Sequence, residues 1–420
     1  MRDTGHQPNT TEGRPLHEDE MRRPAATAKP CRRCSRRTQS TLAVAFLIGG
    51  LLCASLPGCS DTSRASESEP LCIDGPLPLG EQVPPVDATC SDPPSALSAA
   101  AEQQQRANAE AAAASAAELL RRDAITIVTC GTGTPIPSDR VQACTAVFVN
   151  GLFLLFDAGD GAQRSMERSL LPITDIDAIF LTHFHSDHIA DVGEVISRSW
   201  ILGRTTELPV YGGEAVRRVV DGFNAVYALD DRYREAHHGE DVLDARVQPA
   251  VPHTIDDPGA EERVVYERDG VTVTAFRVNH PPIEPALGYR IDFAGKSVVI
   301  SGDTTDTASL RAMSEGADVL VSEVMNRDVL EAVECALKRL DQPRNARLIR
   351  DIRTYHIGTT ELAGLAQKAG VRTLVLTHQV PSFDNDDPRV ELLLAAPVRA
   401  IYSGELIAAK DGQRIVVPLE

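Results

Sequence analysis

Residues 182–188 read Thr182-His183-Phe184-His185-Ser186-Asp187-His188 and follow directly on the apolar run 176–181. Three imidazoles and a carboxylate within six positions are hard to explain as packing, since such groups are seldom buried without partners. The run before them has the character of a β-strand. Alternate residues at a strand end point the same way, so His183 and His185 can converge on one ion. Residues 192–202 read as a helix, and on the turn towards it Asp187 and His188 face a second position nearby. Strand, ligand loop and helix in succession place the segment in an α/β architecture.

The same grammar runs through the chain from residue 125 onward. A β run at 125–130 leads into the loop Gly131-Thr132-Gly133-Thr134-Pro135. Runs at 145–149 and 152–156 flank Asn150-Gly151, a strong hairpin turn. In the second half, 264–268 and 271–276 flank Asp269-Gly270, and 288–293 and 297–301 flank Ala294-Gly295. Strands at 319–321 and 373–377 then alternate with helices near 307–315 and 359–369. Two β-rich halves, each finished by αβ units, predict two packed sheets with helices outside. The long interval 204–263 leaves two readings for 222–233, which mixes Phe223, Tyr227 and Tyr233 with Asp and Arg. It is either a wall of a substrate cleft or a surface helix with a packed aromatic stripe. His237-His238 reads as solvated.

The N-terminal part has a different texture. Residues 1–60 hold 9 Lys+Arg against 5 Asp+Glu, and Arg32, Arg33, Arg36 and Arg37 precede the single long apolar run, 42–56. That run is short for a membrane span and suits a signal-peptide core behind a basic segment. It ends Leu56-Pro57-Gly58-Cys59, which resembles a bacterial lipobox in which the Cys is acylated. Ordinary cleavage near Ala54 or Gly58 is the alternative, and Met21 could be the start. The expected organisation is a signal peptide over 1–59, a tether over 60–122 and a catalytic domain over 123–420. Within the tether, 60–98 is rich in Ser, Pro and acidic residues and 99–121 reads as a solvated linker helix. The expected location is outside the cytoplasm, in a periplasmic or cell-surface lipoprotein held through Cys59. Export permits disulfides. Cys72 and Cys90 could close one loop and Cys130 and Cys144 another, with Cys335 left over, or all five could be thiols. No CxxC pair follows Cys59, which argues against a cysteine-based zinc site.

The whole chain carries a net charge of -18, and the positive N-terminal segment leaves about -22 on residues 61–420. Phosphate contacts need a surplus of Lys and Arg, so nucleic acid is disfavoured as a partner.

Further His and Asp residues fall at strand ends: His280, Asp303 in Ser301-Gly302-Asp303-Thr304, and His378. With these in order after the His-rich loop, the chain from about residue 125 resembles the metallo-β-lactamase superfamily. The resemblance implies that fold, an αββα four-layer sandwich, and a site for two metal ions. His183, His185 and His280 would hold the first ion, Asp187, His188 and His378 the second, and Asp303 would bridge them. It implies hydrolysis of a small-molecule ester by a hydroxide shared between the ions. Zinc is the default from the imidazole-rich set, with iron or manganese open at one position. Asp157 matches the family's Asp that steadies the His loop.

Asp303 stands where lactam-hydrolysing members commonly use Cys, which points to the esterase and phosphodiesterase branches. Gly302-Asp303-Thr304, Glu323, and His356 before Thr359-Thr360-Glu361 resemble the ribonuclease Z-like group, which includes tRNA 3′-processing nucleases and arylsulfatase-like hydrolases. Besides Asp187, the implied catalytic residues are then His356, aiding the leaving oxygen, and Glu323, orienting it. Bacterial ribonuclease Z carries a tRNA-binding arm between the ligands matching His280 and Asp303, whereas 22 residues separate them here. Leu202-Gly203-Arg204 and Ala225-Val226-Tyr227-Ala228-Leu229-Asp230 bring the chain closer to the arylsulfatase-like members, among which dimers are common. The expected activity is cleavage of a phosphodiester, sulfate ester or related small ester. A tRNA-processing nuclease and a metal-binding sensor without turnover are the alternatives.

Overall fold

The computed structural model describes residues 95–419. The expected signal segment, Cys59, most of the tether and the Cys72–Cys90 pair lie outside the described residues. Two seven-stranded sheets make the body. The first contains β1 (Ala124–Gly131), β2 (Cys144–Val149), β3 (Leu152–Phe156), β4 (Ile176–Phe180), β5 (Leu208–Gly212) and β6 (Ala250–Thr254). The second contains β7 (Arg263–Arg268), β8 (Val271–His280), β9 (Ile283–Phe293), β10 (Lys296–Ile300), β11 (Val319–Met325), β12 (Thr373–Val380) and β13 (Glu405–Ala408). The last strand, β14 (Gln413–Pro418), returns to the first sheet and pairs antiparallel with β1. This return was not foreseen from the sequence.

Side-chain alternation builds the layers. Along β2 and β3, Val147, Val149, Leu152, Leu154 and Phe156 face the second sheet, where Val273, Tyr289, Ile291, Val298 and Val321 meet them. Ala146, Phe148, Phe153 and Leu155 face outward onto helices, with Val192, Val195, Ile196 and Val216 over them. On the far side, Leu310, Leu362, Ala363 and Val398 cover the second sheet. Both faces of β2 and β3 are therefore covered, which is why they read as unbroken apolar runs. This is the αββα sandwich. All three foreseen Gly turns form antiparallel hairpins, each with positive φ at both central residues, Asn150-Gly151, Asp269-Gly270 and Ala294-Gly295.

The helices at Val192–Ile201, Ala308–Met313 and Thr359–Ala369 match the sequence reading closely. Those at Ala162–Arg168, Arg327–Arg339 and Pro343–Ile352 were not anticipated. Residues 222–233 belong to the surface helix Val216–His238. Its Phe223 and Tyr227 rings sit against Gly193, where a Cβ would lie 2.7 Å from each, so these two pack on the neighbouring helix while Tyr233 is exposed. His237 and His238 are exposed at its end. Cys130 and Cys144 form a disulfide and Cys335 is a free, exposed thiol. Among the described residues no helix is long and apolar enough to cross a membrane.

The linker helix is Ser95–Leu119, and full solvation is corrected at its end. Leu119 is completely buried in the outer core, and Arg414 of β14 bonds Glu118 and the buried Ser115. An Ala-rich helix lacks an apolar stripe, but Leu119 in its last turn, with Leu120 beside it and the Arg414 bonds, docks its end. Leu119→Ala should cost about 2–5 kcal/mol of stability through the cavity it leaves. Urea unfolding of the variant against the parent measures this.

Candidate metal centre

Every predicted ligand lies on one edge of the sandwich, near or beyond a strand end. His183 follows β4, His280 closes β8, Asp303 follows β10, and His378 interrupts β12. On the first side His183 Nε2 lies 3.0 Å from His185 Nδ1, which is 3.3 Å from His280 Nε2. On the second side His378 Nε2 lies 3.1 Å from Asp187 Oδ2, and His188 Nε2 lies 3.6 Å from the same oxygen. Asp303 stands between them. Its Oδ2 is 3.8 Å from His280 and 3.5 Å from His378, and its Oδ1 is 3.4 Å from His188. His183, His185, His280 and Asp303 thus form one convergent set, and Asp187, His188 and His378 another. A third set, Asp303, Glu323, His356 and His378, overlaps both.

Local structure explains how these side chains are held. Asp157 follows β3 with φ 57°, a left-handed conformation that Asp tolerates better than most residues. Its carboxylate accepts from the Thr182 amide and hydroxyl, each at 2.8 Å, and from His188 Nδ1 at 2.8 Å. Thr182 is thereby more than a strand-end residue. From the second sheet, Leu287 N–H donates to the Thr182 carbonyl at 2.9 Å and the Tyr289 hydroxyl to the Leu181 carbonyl at 2.7 Å. Gly302 has φ 59°, and a Cβ there would lie 2.7 Å from the Leu287 carbonyl oxygen, so glycine is required before Asp303. His378 has φ 40° and falls where the β11–β12 register shifts, which frees it from the ladder and turns it to the site.

The electrostatics suit a cation on the side of His183 and His280, whereas at His188 burial is outweighed by Asp303 and Asp157, which hold the imidazole well above its usual range. Burial and the neighbouring His188 hold His183 well below the usual imidazole range, and burial lowers His280 to about 4. Both are therefore neutral, as ligation requires. Burial works against a charged Asp303, but His378 and His188 prevail and hold its carboxyl well below the usual carboxylate range. His188 Nε2 and Asp303 Oδ1 are buried with no hydrogen-bond partner. They face one another at 3.4 Å, an arrangement into which a cation or water could insert. The donor set fits one or two divalent ions.

A second pair stands beside the ligands. Glu323 on β11 accepts from His356 Nδ1 at 2.6 Å and from the Thr304 amide at 2.5 Å. Burial opposes a charged His356, yet Glu323 and Asp303 raise it to about 9. The Tyr355 carbonyl accepts from His280 Nδ1 at 3.1 Å, which fixes the tautomer and leaves Nε2 free. The sequence reading missed Tyr355, although its position next to His356 was the available signal.

A family model described as "Beta-lactamase superfamily domain" matches residues 153–379. The chain belongs to the metallo-β-lactamase superfamily. It is similar to the Ribonuclease Z of Mycobacterium bovis, 32% identical over 297 residues, 70% of this chain and 98% of that protein. The Ribonuclease Z of Mycobacterium marinum is 34% identical over 262 residues, 61% of this chain and 87% of its own. Among solved structures, human tRNase Z, short form, shares 21% identity at a TM-score of 0.48, over 70% of this chain and 99% of its own. The protein is a metal-dependent hydrolase of this superfamily.

The Asp157 carboxylate serves three donors, one of them on a candidate ligand. Asp157→Ala should lower metal affinity about 10–100-fold, as loss of a ligand's supporting partner does elsewhere. Competition with a chromogenic chelator measures this, and unchanged affinity would remove Asp157 from the support of the centre.

Proposed function

We propose that the protein is a binuclear hydrolase of a phosphodiester, sulfate ester or related small ester. His183, His185 and His280 would hold one ion, Asp187, His188 and His378 the other, with Asp303 shared. The observation that carries this is Asp303 itself, buried between two convergent donor sets and within 4.0 Å of imidazoles from each. Bound divalent ions would lower the pKa of water and offset charge building on the ester oxygens. Zinc suits the imidazoles, and iron or manganese stays open at one position.

The chain's own residues account for the other half of the reaction. In hydrolysis the water oxygen bonds to phosphorus or sulfur, and the bond to the leaving oxygen breaks with its electron pair. That oxygen then needs a proton. His356 lines the same cleft as His185, Asp187, Asp303 and His378. Its Nδ1 is taken by Glu323, so Nε2 is the nitrogen available to donate, and Glu323 is a positioning residue. Asp303→Ala should abolish turnover of aryl phosphodiesters and aryl sulfates by the metal-loaded protein, and retained activity would overturn the reading. His356→Ala should lower kcat about 10²–10⁴-fold on esters of poorly acidic alcohols, and far less on nitrophenyl esters whose leaving group needs no proton.

The second reading is tRNA 3′ processing, favoured by the names of the mycobacterial relatives. Cleavage of precursor tRNA by the same protein, lost with Asp303→Ala, would establish it. Against it stand the acidic chain and a cleft with no Lys or Arg among its lining residues. A small uncharged leaving group is better matched. We also propose export and lipid anchoring through Cys59, supported by the basic segment and apolar run before it. The mature protein in the membrane fraction should then begin at an acylated Cys59 by intact mass, and Cys59→Ala should release it to the soluble fraction.

A further inference from the structure

The cleft over the candidate centre has two unlike walls. One carries the ionisable side chains already described. The other consists of Pro135, Ile136, Ile352, Tyr355 and Val380, contributed by three segments far apart in the sequence. Ile136 and Ile352 are only partly buried, yet they pack on the small apolar cluster of Met325, Leu330 and Val380. The wall is therefore backed by core and does not depend on a ligand to hold its shape.

The loop that presents Pro135 and Ile136 is pinned on several sides. The Cys130–Cys144 disulfide closes its base. Asp411 accepts from the Thr132 amide at 2.9 Å and the Val141 amide at 2.8 Å. Arg140 Nε donates to the Phe383 carbonyl at 2.6 Å, tying this loop to the segment after β12. On the opposite side the Tyr355 ring lies edge-on to His280 at 5.1 Å and tilted to His356 at 4.9 Å. An apolar surface thus adjoins the imidazole that would protonate the leaving oxygen.

We infer that this wall seats an apolar, preferably aromatic, leaving group, with Ile136 and Ile352 setting its size. The inference rests on the hydrolase reading and narrows its substrate class. Magnitudes agree with a small group. The cleft measures about 260 Å³. An apolar cavity of about 150 Å³ holds benzene, so the cleft has room for one ring beside an ester group. Burying a ring on such a wall contributes at about 25 cal/mol per Å² removed from water. A polynucleotide leaving strand would instead bring phosphates to a wall without a cation.

The test uses full-length, metal-loaded protein and two methyl phosphodiesters, one of 4-nitrophenol and one of 2,2,2-trifluoroethanol. The ratio of their kcat/KM values is compared between parent, Ile352→Asp and Ile136→Asp, so that intrinsic reactivity cancels. The ratio should fall at least fivefold in each variant, mainly through KM of the aryl ester. Binding of free 4-methylphenol, followed by saturation-transfer NMR, should weaken by a similar factor. Unchanged ratio and unchanged phenol binding in both folded variants would overturn the inference while leaving the hydrolase reading intact. Should the parent turn over neither ester, phosphodiester hydrolysis is excluded from the proposed function. Phenol binding and its loss in the variants then decide on the wall by themselves.

Discussion

The Asp157 carboxylate is the point on which the centre depends. It is buried, sits in a left-handed backbone conformation, and satisfies the Thr182 amide, the Thr182 hydroxyl and His188 Nδ1 at once. Hydrogen bonds to a charged acceptor contribute more than neutral ones, about 1.5–3 kcal/mol each. Three together can offset both the desolvation of the carboxylate and the strain of its φ. What they secure is the register of the loop 182–188, since amide, hydroxyl and imidazole are gripped by one rigid group. If the loop shifted by one residue, His183 and His185 would exchange faces with Phe184, and the donor set would no longer converge.

The second sheet supplies what the first cannot. Leu287 and Tyr289 of β9 bond the carbonyls of Thr182 and Leu181, so the end of β4 is held from both sides of the inter-sheet core. Phe156, Phe180 and Tyr289 pack around that junction with ring centroids 5.0–5.6 Å apart. At the site, the non-glycine residues Asp157 and His378 hold left-handed backbone conformations, as Leu170, Asp341 and the hairpin turns do elsewhere. Residues forced into such conformations persist only where packing over-determines them, and here the sandwich core does so.

The His-rich loop was legible because its information is local: spacing, strand before it and helix after it lie in one stretch of chain. The hairpins were legible for the same reason, through Asn150-Gly151 and its two counterparts. His280, Asp303 and His378 were legible as strand-end residues in an order that matched a family, and the fold brings all three to one edge. Docking of Leu119 was not, because one buried leucine leaves no periodic trace in an alanine-rich helix. The pairing of β14 with β1 was missed since strands almost 300 residues apart carry no mutual signal. Residues 222–233 stayed ambiguous because an aromatic stripe looks the same against a substrate cleft as against a neighbouring helix. Only the contact with Gly193 decides between them.

The cleft wall shows the same limit in a place where it bears on function. Ile136, Ile352 and Val380 are ordinary aliphatic residues in a loop, at a helix end and at a strand end, and each alone reads as packing. Their convergence beside His356 follows from constraints that have nothing to do with catalysis: the disulfide and Asp411 on one loop, the helix Pro343–Ile352 on another. The ionisable residues fix which bond chemistry the edge can support. Loops that close over that edge decide what else of a substrate is desolvated. Relatives with names pointing to RNA and a cleft without Lys or Arg are therefore compatible facts. The first follows from sequence similarity spread along the domain, and the second from the few residues that line one cleft.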